Sequence, residues 1–114
     1  MSTVSPSEES SHIQSSLIEW QSSPIDGVSY KRLRSCSESG EQTALIRFAP
    51  GTKFPAHNHP AGEQVYVIEG ELQVGKYHLV AGDYLYTPPD GKHAASTKDG
   101  CLFLVTVPKA IEIL

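Results

Sequence analysis

Several features that mark large classes of protein are missing or scarce in this chain of 114 residues. No apolar stretch approaches the roughly 18 residues that a membrane-spanning helix requires, so we expect no membrane partner. The chain has 9 Lys and Arg against 13 Asp and Glu, and it has no long run of Lys and Arg, so we expect no nucleic-acid partner. The first ten residues lack the basic and apolar regions of a secretory signal, which predicts a cytoplasmic location.

Cysteine is also scarce. Cys36 and Cys101 are far apart and lack the CxxC spacing of a redox or zinc-thiolate motif, so we expect two free thiols. The apolar residues that follow Cys101 predict a buried strand position rather than a reactive one.

Helical periodicity does not extend beyond a single turn, whereas short β-rich runs alternate with Gly and Pro throughout the chain. Eight runs are predicted to be strands: 28–33, 43–48, 63–69, 71–74, 77–80, 84–87, 93–97 and 102–107. Strands at this spacing predict an all-β fold of the jelly-roll type, with two packed sheets forming a barrel.

The serine-rich residues 1–16 contain few large aliphatic side chains and are predicted to form a flexible tail. A single barrel domain is expected over residues 17–114. Residues 17–20, which include the only Trp, supply an apolar anchor that we expect to be a short strand or a docking arm.

The strongest indication of chemistry is a pair of histidines, His57 and His59, separated by one residue. On an extended strand their side chains point to the same face and can converge on one ion. A predicted turn at residues 60–62 then returns the chain so that the Glu63 carboxylate can complete a set of three metal ligands. A His-x-His pair by itself is more often without a metal-binding role, and it is the conjunction with Glu63 and the flanking glycines that favours a metal site.

The whole segment resembles the first cupin motif, which runs from Gly51 through the His-x-His pair and Glu63 to Gly70. The second cupin motif is matched by Gly82, Pro88 and His93, although its inner glycine is displaced by one residue to Gly91. The resemblance implies a cupin double-stranded β-helix, with His93 as the fourth ligand beside His57, His59 and Glu63. It also implies one divalent metal ion, and Zn, Fe, Mn and Ni remain open.

Similarity to the ChrR-type cupins extends over residues 17–107, including Trp20 before Pro24 and the segments 47–51 and 99–101. That group contains the zinc-binding cupin domain of an anti-sigma factor and, more distantly, non-haem dioxygenases that cleave small diketones. The resemblance therefore implies a metal site more strongly than it implies any one reaction.

Three functions remain open. The favoured one is a small metal-dependent enzyme, of dioxygenase, isomerase or lyase type, that acts on a small oxygenated molecule. The second is a non-catalytic metal- or ligand-sensing module of the ChrR type, for which we find no output segment such as helical heptads. The third is a stand-alone partner of a larger enzyme or transporter. Isolated jelly-roll cupins often pair, so we expect a homodimer that exchanges the arm at residues 17–20.

Other residues carry weaker indications, and no catalytic residue is assigned. Tyr66, Tyr84 and Tyr86 are expected to be packing or interface aromatics rather than acid/base groups. Arg47 either reaches the barrel interior, where it would bind a carboxylate or an enolate, or remains a solvated or paired strand arginine, which we favour. His78 belongs to neither motif and is expected on the surface.

Overall fold

The computed structural model describes residues 10–114, so the first nine residues of the predicted tail lie outside the described part. Ten strands follow a short 3-10 turn at Ser15–Leu17: β1 (Gln21–Ser22), β2 (Val28–Ser35), β3 (Gln42–Phe48), β4 (Lys53–His59), β5 (Glu63–Val74), β6 (Tyr77–Val80), β7 (Tyr84–Thr87), β8 (Gly91–Ser96), β9 (Cys101–Val107) and β10 (Glu112–Ile113). Among the described residues, no helix has the length and apolar character needed to cross a bilayer. The predicted all-β class is confirmed.

The strands form two antiparallel sheets that curl against each other. One sheet has the order β1-β2-β3-β9-β5-β7, and the other has the order β10-β4-β8-β5-β6. Strand β5 belongs to both sheets, because its first half pairs with β9 and β7 and its second half pairs with β6 and β8. The predicted jelly-roll barrel is therefore the observed architecture.

The prediction of separate strands at 63–69 and 71–74 was wrong, because β5 is one strand of 12 residues. Gly70 lies where β5 passes from one sheet to the other and has a φ of +78°. A Cβ at this position would collide with the carbonyl oxygen of Gly100. This glycine permits a bend and a close backbone approach rather than ending the strand.

The strand β4, which carries the His-x-His pair, was not among the eight predicted strands, although those two residues were expected to be extended. Its sequence contains Pro55, which cannot donate to a strand ladder. The register between β4 and β8 shifts between Phe54 and His57, so Pro55 lies at this irregularity. The short terminal strands β1 and β10 were also not predicted.

The barrel interior follows the period-two alternation of the strands. In the first half of β5, Glu63, Val65 and Val67 are buried, whereas Tyr66 is exposed. The core contains the buried residues Val28, Phe48, Val65, Val67, Leu72, Val74, Leu79, Cys101 and Phe103. Tyr84 and Tyr86 on β7 are exposed as well, which places all three predicted packing or interface tyrosines outside the interior.

The cysteines agree with the sequence-based expectation. Cys36 and Cys101 are both free, and Cys101 is buried in the core. Burial raises the pKa of the Cys101 thiol to about 11, so it is an unreactive core residue.

The N-terminal arm packs along the outside of the first sheet. The guanidinium of Arg47 lies 4.3 Å from the centroid of the Trp20 ring, and the ammonium of Lys31 lies 4.9 Å from it. Lys31 Nζ also donates to the carbonyl oxygen of Ser15 at 2.8 Å. Arg47 is therefore a surface arginine stacked on Trp20, and it does not enter the barrel.

Candidate metal centre

Three histidine rings meet on the inner face of the second sheet. Strands β4 and β8 are neighbours, and their register places His57 directly opposite His93. His59 shares the face of His57 because it lies two residues along the same strand. The His57 ring centroid lies 4.6 Å from that of His59 and 4.8 Å from that of His93, and the ligand atoms of the three residues all lie within 4.8 Å of one another.

Glu63 reaches this cluster from the first residue of β5. The turn before it depends on Gly62, whose φ is +87° and where a Cβ would lie only 2.7 Å from the carbonyl oxygen of Thr87. Glu63 Oε1 lies 3.3 Å from His59 Nε2 and 3.5 Å from His93 Nε2. The structure thus brings together all four residues that the sequence singled out, on three different strands.

The nitrogen and oxygen atoms that converge can each donate an electron pair to a metal ion. His57 Nδ1 donates to the carbonyl oxygen of Pro55 at 2.7 Å, which leaves its Nε2 with the lone pair. His59 Nε2 and His93 Nε2 lie 3.0 Å apart beside the Glu63 carboxylate, a spacing that suits either a shared proton or a metal ion bound by both nitrogens. Two nitrogens bound at right angles to one ion, each at about 2.1 Å, would be separated by about 3.0 Å. The donor set and its spacing therefore fit a divalent metal ion.

Burial favours the neutral form of His57 and His59. The His59 side chain is 1% exposed, and this burial lowers the pKa of His59 to about 4, against the opposing effect of the Glu63 carboxylate. Burial also lowers the pKa of His57. A neutral imidazole is the form that binds a metal. Among the described residues no hydrogen-bond partner contacts the buried His59 Nδ1, so packing between the other two rings orients this side chain.

The one departure from the second cupin motif has a structural explanation. Asp90, which occupies the position of the motif's inner glycine, has a φ of +64°. Aspartate adopts this left-handed conformation more readily than most residues, so the turn keeps its shape without a glycine there. Gly91 has no positive φ but leaves no room for a side chain, because a Cβ would collide with Thr87. His93 consequently stays opposite His57.

The cluster of three histidines and Glu63 borders a cavity of about 360 Å³ inside the barrel. Its walls are mainly apolar and include Val28, Phe48, Phe54, Phe103 and Val105. His59, Glu63 and His93 line it on one side, and Tyr30, Arg32 and Gln42 line it elsewhere. An open, largely apolar chamber with a few convergent polar groups is typical of a small-molecule site.

Sequence reasoning missed the polar residues of β2 that face this cavity. Val28, Tyr30 and Arg32 are spaced two residues apart, and on a strand this spacing indicates that their side chains share one face. The apolar Leu33 in the same strand suggests the opposite face as the inward one. The register also shifts between Arg32 and Arg34, so the inward face could not be assigned without knowing the strand pairing.

Three other polar residues lie away from the site: Asn58 and Gln64, which adjoin ligands in sequence, and His78, which was expected on the surface. The Asn58 side-chain amide donates to the Glu112 carboxylate at 2.9 Å. Gln64 is exposed and accepts a hydrogen bond from the Tyr84 hydroxyl at 2.8 Å. His78 is an exposed strand residue, with its Nε2 3.4 Å from a Glu71 carboxylate oxygen.

A curled antiparallel barrel with three histidines and one glutamate converging on its interior defines the cupin class. The chain matches the ChrR cupin-like domain over residues 8–109, and it belongs to that family.

The chain is 34% identical over 92 residues to the DNA damage-repair/toleration protein DRT102 of Arabidopsis thaliana, with 73% of this chain and 28% of that protein covered. It therefore spans less than a third of the length of this relative. Its fold is similar to that of a Methylibium petroleiphilum protein assigned as an acetylacetone dioxygenase, with a TM-score of 0.88, 19% identity and coverage of 97% and 85%. An RmlC-like cupin protein of Ralstonia eutropha has a TM-score of 0.84, 17% identity and coverage of 93% and 73%.

Proposed function

We propose that this chain binds one divalent metal ion through His57, His59, Glu63 and His93 and acts as a small metal-dependent enzyme. The proposed substrate is a small oxygenated molecule, and the proposed reaction is of dioxygenase, isomerase or lyase type. One observation carries the proposal: two imidazole nitrogens 3.0 Å apart and a carboxylate converge at the border of an apolar cavity of about 360 Å³.

The bound ion would supply Lewis acidity toward substrate oxygens. The protein's own residues perform the remaining tasks. Burial keeps His59 neutral and ready to act as a ligand at neutral pH, and the Glu63 carboxylate offsets part of the charge of the ion. The apolar walls limit the access of water and hold the body of a substrate against the metal-binding side of the cavity. The edge-on contact of Phe54 with His57, with ring centroids 5.0 Å apart, holds that ligand in place.

Small diketones are the natural first probes for this proposal. The similar fold assigned as an acetylacetone dioxygenase shares 19% identity with this chain, which supports the choice of probe and nothing beyond it. A diketone offers two oxygens to adjacent coordination positions, and its apolar flanks suit the cavity walls.

Membership of the ChrR cupin-like family favours a second candidate, a metal- or ligand-sensing module without turnover. The number of coordination positions separates the two candidates. Three imidazoles and one carboxylate fill a tetrahedral zinc ion completely, whereas they leave two positions open on an octahedral Fe, Mn or Ni ion. An enzyme that acts on bidentate oxygen substrates needs the open positions.

X-ray absorption on natively loaded protein, before and after addition of pentane-2,4-dione, tests the proposal. We expect a six-coordinate ion whose non-protein ligands change when the diketone is added. The variant His78→Ala removes an exposed histidine and serves as a control with unchanged spectra. A closed four-coordinate shell that the diketone does not alter would exclude the enzyme proposal and favour the sensing module.

A further inference from the structure

Arg32 differs from the other two arginines of the chain in its contacts. Arg34 forms an ion pair with Glu41 at 2.7 Å, and Arg47 stacks on Trp20 at the outer surface. Arg32 lines the cavity and is also exposed to solvent, which places it at the cavity mouth. Among residues 10–114, no carboxylate lies within ion-pair distance of its guanidinium.

Tyr30 holds the Arg32 side chain in a defined position. Both side chains lie on the cavity side of β2, because residues two apart on a strand share a face and both line the cavity. The guanidinium carbon lies 5.4 Å from the centroid of the Tyr30 ring, a stacking contact that restricts the side chain and leaves its N–H groups free to donate. Gln42, half-buried at the start of β3, adds an amide to the same lining.

The strand register gives the separation between Arg32 and the metal centre. Arg32 pairs with Ala44, Ala44 pairs with Val105, and Val105 pairs with Val65, which lies two residues from Glu63. Three inter-strand steps amount to roughly 14 Å across the sheet, and the two residues from Val65 to Glu63 add about 7 Å along the strand direction. Curling of the sheet shortens the direct distance. The side chains of Arg32 and Glu63 both reach into the cavity, so a molecule with a backbone of several carbon atoms could contact both ends.

The net charge of the cavity also indicates which class of ligand it favours. Among the described residues that line it, Glu63 is the one acidic residue and Arg32 is the one permanently cationic residue. With a divalent ion in place, positive charge exceeds negative charge by two in this cavity, although the whole chain carries a formal net charge of −4. A dianionic ligand with an apolar body would balance this excess.

We propose that the ligand is a small dioxo-carboxylic acid bound as a dianion, with the enolate of its diketone facing the metal centre and its carboxylate bound to Arg32 at the mouth. The acidic C–H proton of the diketone is released to solvent. This inference rests on the proposed function, because it uses the same cavity and the same metal. The carbon chain between the two groups would contact the apolar walls, among them Phe103 and Val105. The guanidinium would donate two parallel hydrogen bonds to the carboxylate, the geometry for which arginine is preferred over lysine.

A matched pair of diketones tests the inference: 4,6-dioxoheptanoate and its methyl ester, which differ in the charge of the remote group and by one methyl group. Their affinities are measured by isothermal titration calorimetry on the metal-loaded chain, with the metal's absorption spectrum recorded in parallel. We expect the acid to bind about tenfold more tightly than the ester, a modest ratio because Arg32 is partly hydrated. The preference should disappear in Arg32→Gln, persist in part in Arg32→Lys, and remain complete in Arg34→Gln.

The possible outcomes distinguish the two proposals. Equal affinity of the acid and the ester for the wild type, with the metal spectrum changed by both, would overturn the carboxylate assignment alone. A preference that survives in Arg32→Gln would also overturn it. Failure of both probes to bind or to alter the spectrum would overturn the proposed function and the carboxylate assignment with it. Thermal unfolding of each variant confirms that it is folded, which is expected for an exposed strand position.

Discussion

Lowering the pH should destabilise the metal-free protein through His59. Burial lowers the pKa of His59 to about 4, whereas an exposed imidazole has a pKa of 6.5. Between these two values the unfolded chain binds a proton that the folded chain does not. Stability contributed by the neutral, buried ring is therefore present above pH 6.5 and is lost as the pH falls toward 4.

The size of this effect follows from the linkage relation. Relative to pH 7, His59 alone should reduce the free energy of unfolding by about 1 kcal/mol at pH 5.5 and by about 2 kcal/mol at pH 4.5. The side chain is 1% exposed, so solvent screening reduces these values little. Burial lowers the pKa of His57 as well, so His57 adds to the decrease in the free energy of unfolding as the pH falls.

Urea unfolding of the chelator-treated protein, followed by circular dichroism at the three pH values, measures the effect. The variant His59→Gln cannot take up the proton and should show a shallower loss of stability with falling pH. His12→Gln, which changes an exposed histidine, should behave as the wild type. If the wild type and His59→Gln lose stability equally between pH 7 and pH 4.5, the buried, neutral state assigned to His59 is wrong.

Two further predictions concern turns near the site. Gly91→Ala should lower both the melting temperature and the metal content, because the added methyl group would collide with Thr87; an unchanged melting temperature would contradict this. Asp90→Gly should instead raise the free energy of unfolding by up to about 1 kcal/mol, because φ is already +64° at this position, and urea unfolding measures this gain. Glu71→Gln should cost about 1–3 kcal/mol at neutral pH, because the carboxylate accepts two backbone N–H bonds. The hydrogen bond from Thr97 lowers the pKa of Glu71 most, and these two backbone bonds lower it further. The cost should therefore shrink as the pH falls through that lowered pKa, and urea unfolding at a series of decreasing pH values measures the change.

The part of the site that could be predicted is the part set by local spacing. His57 and His59 lie on one face because strand side chains alternate, and Glu63 follows after a short glycine-containing turn. His93 could be assigned only by resemblance to a motif, because the β4–β8 pairing that places it opposite His57 joins residues far apart in sequence.

The errors in the fold have related causes. Gly70 was interpreted as a strand break, whereas it allows β5 to bend and to participate in both sheets. Pro55 obscured β4, although it lies at an irregularity that tolerates a proline. Arg32 was not singled out, because whether a β2 residue faces inward or outward depends on a register that the sequence of one strand does not specify.

The central claim is that the four converging side chains hold a metal ion, and metal analysis of protein purified without added metals tests it most directly. We predict about one divalent ion per chain in the wild type and at least tenfold less in His57→Ala, which removes one ligand. His12→Ala is the control, and circular dichroism confirms the β-rich fold of each variant. A wild type without metal, or full occupancy in a folded His57→Ala, would contradict the account.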